Sequence, residues 1–264
     1  MTPVPDKSTT ADRAAELLRL HRDPELLTVV NVWDVVSARA VAATPGTTAL
    51  ATASHSIAAT FGYDDGEQIP VDLMLEMVGR IVADSELPVT ADLEGGYGDA
   101  VETVRRAIGL GVVGANIEDQ MKPLNEAAGQ VEAIMRVAEQ EGVDFVLNAR
   151  TDAFVLGGDR DPADVLADAV ERGRAFLDAG APAVFVPARL DEEQVTTLVD
   201  AFGPQRLTCI GIPGMPSLAR LEELGVARVS YGPMPQRVAL TALQELVEEI
   251  HRGGGVPATM RTLN

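Results

Sequence analysis

Acids and glycines alternate in Thr90-Ala91-Asp92-Leu93-Glu94-Gly95-Gly96-Tyr97-Gly98, the stretch of this chain whose spacing is best suited to chemistry. An apolar, β-branched run leads into it and a helical pattern follows. Residues two apart in an extended strand project from one face, which sets the Asp92 and Glu94 carboxylates side by side at a strand end. Two such groups repel unless a cation or a shared proton lies between them. The glycines that follow allow a sharp turn and a close backbone approach to a ligand. A solvated turn that happens to carry acids is the plain alternative, and the other strand ends decide between the two.

Eight short runs have strand character: residues 28–33, 48–54, 88–93, 113–118, 145–150, 183–188, 207–212 and 227–232. Nearly all are continuously apolar, as in strands buried on both faces of a parallel sheet. Helical patterns alternate with them at 37–43, 71–84, 99–110, 130–141, 162–178, 191–202, 216–223 and 236–251, after an amphipathic helix at 12–22. Asp99 with Glu102 predicts a capping box, and Pro162 suits a first helical turn. Eight strand–helix units in about 250 residues predict a (β/α)8 TIM-type barrel. A doubly wound open sheet would normally carry a phosphate fingerprint after its first strand, where Asn31-Val32-Trp33-Asp34 stands instead. No linker-like shift divides the chain, so one domain spanning 1–264 is expected, with a lead-in over 1–27 and a loose tail over 253–264.

Active sites of such barrels lie at the C-terminal ends of the strands. There the sequence places Ser54-His55-Ser56, Asp92 and Glu94, Glu118-Asp119-Gln120, and Asn148-Ala149-Arg150-Thr151-Asp152, with Asp34 and Ser230-Tyr231 at the first and last strands. Asp92, Glu94 and Glu118 converging on one mouth call for a hard cation, and an all-oxygen set suits Mg²⁺ or Mn²⁺. Zinc is disfavoured because His21, His55 and His251 are scattered and no Cys/His spacing exists. Arg150 offers a bidentate fork for a carboxylate or phosphoryl group, with an ion pair to one of these acids as its competitor.

The net charge of −19 argues against nucleic acid or an anionic membrane as partner and requires a local cation for any acidic substrate. No apolar run is long enough to span a bilayer. The polar N-terminus lacks a signal-peptide core, and a single cysteine, Cys209, suits a reducing cytoplasm. Cys209 falls inside an expected strand, where a buried inert thiol is the reading.

Five motifs in order, Asn31-Val32-Trp33-Asp34, Gly62-Tyr63-Asp64-Asp65-Gly66-Glu67, Ala91-Asp92-Leu93-Glu94-Gly95-Gly96-Tyr97-Gly98, Asn116-Ile117-Glu118-Asp119-Gln120 and Asn148-Ala149-Arg150-Thr151-Asp152, resemble the isocitrate lyase/phosphoenolpyruvate mutase superfamily over about residues 30–240. The resemblance implies a (β/α)8 barrel, often a dimer or tetramer, with the last helix exchanged between subunits. It implies Mg²⁺-dependent making or breaking of a C–C or P–C bond in a 2-oxo or enol carboxylate, through a metal-stabilised enolate. By motif position Asp92 resembles the direct metal ligand, and Glu94 and Glu118 resemble further ligands. Arg150 resembles the substrate- or oxyanion-binding arginine, and Asp65 the acid near the reacting centre. Thr52, Ala53 and Ser54 match the stretch whose backbone N–H groups and hydroxyl grip the substrate.

The departures bear on the reaction. The C–C lyases carry a cysteine and a histidine shortly after the acid of the fourth strand; here Met121-Lys122-Pro123-Leu124-Asn125-Glu126 follows. Lys122 and Asn125 are the candidates for a gating role in this shorter loop, with 121–130 as the lid. Glu94 stands where the best-known members have aspartate, and His55 occupies a position expected to be small. Two readings follow: a Mg²⁺-dependent lyase, mutase or hydrolase, or a catalytically retired barrel that binds a small carboxylate as a sensor or assembly subunit.

Overall fold

Nine parallel strands form one sheet in the order β1-β9-β8-β7-β6-β5-β4-β3-β2. They are β1 Leu27–Val29, β2 Asn31–Val32, β3 Leu50–Thr52, β4 Val89–Asp92, β5 Gly114–Glu118, β6 Val146–Arg150, β7 Ala183–Val186, β8 Leu207–Ile210 and β9 Arg228–Ser230. The expected first strand is split at Val30: β1 pairs with β9 and β2 with β3, so the ring meets across that joint. Asn31 stitches the joint with its side chain. Its Oδ1 accepts from the Tyr231 and Gly232 N–H groups at 2.7 and 2.8 Å, and its Nδ2 donates to the Thr52 carbonyl at 2.8 Å. The result is the TIM-type α/β barrel that the strand count predicts.

The computed structural model describes residues 8–263, so residues 1–7 of the expected lead-in and residue 264 of the expected tail lie outside the described residues. The helices are α1 Thr10–Arg22, α2 Val35–Ala42, α3 Ser54–Thr60, α4 Val71–Asp84, α5 Ala100–Gly109, α6 Leu124–Gln140, α7 Pro162–Asp178, α8 Glu192–Phe202, α9 Leu218–Glu223 and α10 Met234–His251. Side-chain caps fix several starts: Thr9 and Asp191 each close a full capping box, and Asp34 accepts from Ser37 N–H. At α5 only half of the expected box forms. Asp99 accepts from Glu102 N–H, while the Glu102 side chain turns to Arg105. None of the helices among the described residues is long and apolar enough to cross a membrane.

Two helices differ from the sequence pattern. α3 starts at Ser54, directly after β3, and α6 starts at Leu124 rather than near residue 130, because Pro123 ends the preceding turn and the helix begins behind it. The expected lid segment is therefore largely the first turns of α6.

The barrel interior is partly polar. Asn148 donates to Asn116 Oδ1 at 2.7 Å and accepts from the Thr208 hydroxyl at 2.6 Å, linking β5, β6 and β8 below the mouth. α1 lies under the ring: a Cβ on Gly114 would meet Leu17 Cδ2 at 2.9 Å, so the glycine makes room for that helix. Cys209 is buried in β8, where burial pushes its thiol up to about 12, consistent with an inert packing role.

Candidate active site

The strand ends bring the predicted acids to one place. Ser54, Asp65, Asp92, Glu94, Glu118 and Arg150 all line a cavity of about 210 Å³ at the C-terminal mouth of the barrel, with Asn31, His55 and Asn116 beside them. β4 ends at Asp92, β5 at Glu118 and β6 at Arg150, and adjacent register sets Glu118 opposite Arg150. Asp92 Oδ2 accepts from both the backbone N–H and the hydroxyl of Ser54, at 3.1 and 2.7 Å. The Asp92 N–H in turn donates to Thr52 Oγ1 at 3.0 Å. Ser54 thus fixes the carboxylate of Asp92 and Thr52 its backbone.

Glu94 is buried and held by a loop that reaches over from the end of α3. Its Oε2 accepts from Glu67 N–H at 2.5 Å and its Oε1 from the Tyr97 hydroxyl at 2.9 Å. Glu94, Tyr97 and Glu67 all take left-handed backbone, with φ of 51°, 55° and 61°, a conformation that L-residues hold only where surroundings enforce it. Burial lifts the Glu94 carboxyl to about 7, against the bonds from Tyr97 and Glu67, and the neighbouring Asp92 and Asp65 add to the rise.

Arg150 supplies the opposite charge. Its Nη1 lies 2.7 Å from Glu118 Oε2, and its Nε and Nη2 lie 2.8 and 2.7 Å from Asp152 Oδ1. The ion pair weighed from the sequence does form, yet Arg150 still faces the cavity. Burial raises the Glu118 carboxyl above the ordinary range, Arg150 opposes the rise, and Asp152, Asp92 and Glu94 reinforce it. Carboxyl groups thus outnumber the one arginine that lines the mouth, and burial and mutual repulsion favour the protonated form of Glu94 and Glu118.

Thr52, Ala53, Lys122 and Asn125 sit around this cavity without lining it. Thr52 and Ala53 are buried in the scaffold, with Ala53 N–H bonded to the Val32 carbonyl at 3.2 Å. Lys122 turns its Nζ to Gln130 Oε1 at 3.3 Å, and Asn125 is exposed on the first turn of α6. His55 faces the cavity, while its buried Nδ1 has no hydrogen-bond partner among the described residues. Glu67, Tyr97 and Asn31 were not singled out from the sequence for the contacts that they make. Each acts across more than twenty-five residues of chain, and no local pattern encodes such a pairing.

The donors fit a hard divalent cation in kind: three carboxyl groups, outnumbering the one arginine, around a confined mouth. As they lie, each acid is engaged by protein, and among the described residues no three His, Cys, Asp or Glu groups are gathered within reach of one ion. Coordination requires Glu118 to turn from Arg150, or water to span the remaining distance, as Mg²⁺ commonly allows.

Residues 17–251 match the model of the phosphoenolpyruvate phosphomutase family. The chain is 27% identical to the phosphoenolpyruvate phosphomutase of Streptomyces hygroscopicus, covering 95% of this chain and 84% of that one. It is 28% identical to an oxaloacetate decarboxylase of Paraburkholderia xenovorans, over 87% and 79% of the two chains. A solved structure from Burkholderia cenocepacia J2315, a phosphonomutase by designation only, superposes with a TM-score of 0.84 at 40% identity, over 90% of this chain and 99% of that one. These two relatives with named activities are enzymes, a mutase and a decarboxylase of small carboxylic acids.

Proposed function

The chain belongs to the phosphoenolpyruvate phosphomutase family, and from that premise we propose that it is a Mg²⁺-dependent enzyme that cleaves or rearranges a C–C or P–C bond in a small 2-oxo or enol carboxylic acid. The observation that carries this reading is the convergence of Asp92, Glu94, Glu118 and Arg150 on one cavity of about 210 Å³, a size suited to a metabolite of few atoms. Asp92, Glu94 and Glu118 would hold the cation, which when bound supplies Lewis-acid polarisation of the substrate's oxo and carboxylate oxygens. Mn²⁺ would meet the same ligands.

The protein's own groups do the rest. Arg150 binds a substrate carboxylate or stabilises charge that develops beside it. Ser54 holds Asp92 in place and presents its hydroxyl to the cavity. Asp65, on the exposed loop after α3, lines the cavity and is assigned the role of acting on the departing or attacking group. Lys122 and Asn125 are assigned a gating role at the start of α6. Without a cysteine or histidine in that loop, the usual isocitrate-cleaving arrangement is absent, and a decarboxylase, C–C hydrolase or P–C mutase or hydrolase fits better. A homo-oligomer, assembled through α10 as a dimer or tetramer, and a cytoplasmic location belong to the same proposal.

The test is an NMR time course that follows carbon and phosphorus signals for oxaloacetate, phosphoenolpyruvate, phosphonopyruvate and substituted malates, with Mg²⁺ and with EDTA. Loss of one compound only where Mg²⁺ is present supports the reading. No turnover of any compound, with ligand-induced thermal stabilisation retained, favours the retired carboxylate-binding barrel instead.

A further inference from the structure

Gln120 and Met121 are consecutive non-glycine residues in left-handed backbone, with φ of 50° and 52°. A turn of this kind persists only if its surroundings over-determine it. It begins two residues after Glu118 and opens the segment that leads into α6. Its support comes from two buried acids. Asp119 Oδ1 accepts from Met121 N–H and from Asp152 N–H, both at 3.0 Å, and Asp152 Oδ2 accepts from Gln120 N–H at 3.1 Å. Asp152 Oδ1 is the oxygen that holds Arg150. The turn after β5 and the bearing of Arg150 on β6 are therefore set by the same pair of carboxylates.

That pair is anchored by an arginine on another helix. Arg172, in α7, places Nη1 at 3.1 Å from Asp119 Oδ2 and at 3.0 Å from the Lys122 carbonyl, and Nε at 2.9 Å from Asp168 Oδ1. Asp168 is held from its other oxygen by Arg160 at 2.9 Å. The Arg172 side chain is about a tenth exposed and that of Asp119 only 2%, so this pairing is made largely out of water. Arg172 does not line the cavity.

We propose that Arg172 is a positioning residue: it clasps the turn over 119–122 and, through Asp119 and Asp152, fixes the direction in which Arg150 enters the site. The link to a substrate rests on the proposed role of Arg150; the clasp itself does not. The planar fork explains the residue type. A guanidinium reaches Asp119, Asp168 and a carbonyl at once, whereas a lysine offers one nitrogen and cannot serve the first two together.

The test compares amide hydrogen exchange in the full chain, wild type against Arg172→Met and Arg172→Lys. With Arg172→Met, the amides of Gln120, Met121 and Asp152 should exchange at least about tenfold faster, while the amides of Ala115 and Leu147, inside β5 and β6, keep their rates. Arg172→Lys should fall between, and carries the comparison if Arg172→Met does not fold. In a second arm, the affinity for oxalate in Mg²⁺, a small dianionic mimic of a 2-oxo carboxylate, should fall at least about tenfold in Arg172→Met. Unchanged exchange at the three amides overturns the proposal. Equal acceleration at Ala115 and Leu147 also overturns it, since it marks a merely structural role. Wild-type protein that fails to bind oxalate counts against the proposed function, and the exchange result still decides the clasp.

Discussion

Tyr97 and Glu67 meet across the mouth of the barrel, the Tyr97 backbone N–H donating to Glu67 Oε1 at 2.6 Å while both residues also bind Glu94. The loop that carries Asp65 is thereby tied to the loop after β4, and the tie runs through a candidate metal ligand. Glu67→Ala removes one strand of it and should make the loop around residues 61–68 more susceptible to limited proteolysis. Tyr97→Phe removes the hydroxyl that stabilises ionised Glu94, so the Glu94 carboxyl should titrate above its present value of about 7. A carbon-detected NMR titration of Glu94 reads this directly. A downward shift in Tyr97→Phe contradicts the assignment.

The raised carboxyls give the metal-free protein a stability that declines with pH. Glu94 rises from 4.5 to about 7 on folding, so between those values the native state binds more protons than the unfolded one. Stability is then fully present below about pH 4.5 and lost as pH rises toward 7, by up to about 1.4 kcal/mol per pH unit for this group. Glu118 acts in the same direction. Mg²⁺ competes with those protons, so its thermal stabilisation should be larger near pH 8 than near pH 6. Equal shifts at both pH values would remove Glu94 and Glu118 from the metal site.

His21 produces the opposite slope. In α1 its Nδ1 lies 2.9 Å from the Leu17 carbonyl and donates to it, while the buried Nε2 has no partner among the described residues. Burial lowers the imidazole to about 3, and the buried cation of Arg228 adds to this. The unfolded chain takes up a proton below about 6.5 that the native state refuses, so stability is lost as pH falls from 6.5 toward 3. His21→Leu should flatten this acid limb of the melting-temperature profile. A profile unchanged below pH 6 would refute it.

Strands and their terminal acids were legible because both are local: a continuous apolar run announces a buried parallel strand, and an acid at its end needs no knowledge of its neighbours. The split of the first strand was not, because it depends on Asn31 bonding to Tyr231 and Gly232 some two hundred residues away. The start of α6 was missed for another reason. Its first turns carry Asn125, Glu126 and Gly129, which are weak helix formers or polar enough to resemble a loop, whereas packing of Ala127 and Val131 decides the outcome. Arg172 gave no signal at all in the sequence, sitting in an ordinary amphipathic helix, and only the fold brings it to Asp119.

The glycines after β4 are required for different reasons, which separates their substitutions. Gly96 has φ +96°, and a Cβ there would stand 2.3 Å from Ala100 Cα, a backbone atom that cannot yield without moving α5. Gly96→Ala should cost about 2–4 kcal/mol. A Cβ on Gly95 would instead meet the Gln120 side-chain amide at 2.1 Å, at the end of an exposed, flexible chain. Gly95→Ala should cost under about 1 kcal/mol, and adding Gln120→Ala should recover most of that. Denaturant melts that show equal losses at the two positions would refute the distinction.

The last helix leaves an apolar stripe in water. From Arg237 onward α10 has no buried residue, and Leu240, Leu243, Val247 and Ile250 are 53%, 55%, 42% and 45% exposed. Their spacing of three, four and three residues lines them along one face, as in a helix–helix seam. A single large apolar residue left in water forgoes about 1.5–3 kcal/mol of burial, and four in one stripe make a solitary α10 a poor arrangement. A second copy of the chain is the partner proposed for it, consistent with a seam that its own barrel does not use. Leu243→Glu places a charge at the centre of the stripe in every copy and should shift the protein to monomer, read by analytical ultracentrifugation, while the far-ultraviolet spectrum is retained. Wild-type protein that sediments as a monomer at micromolar concentration, or a Leu243→Glu variant with the mass of the wild-type assembly, would mean that α10 is not the joining surface.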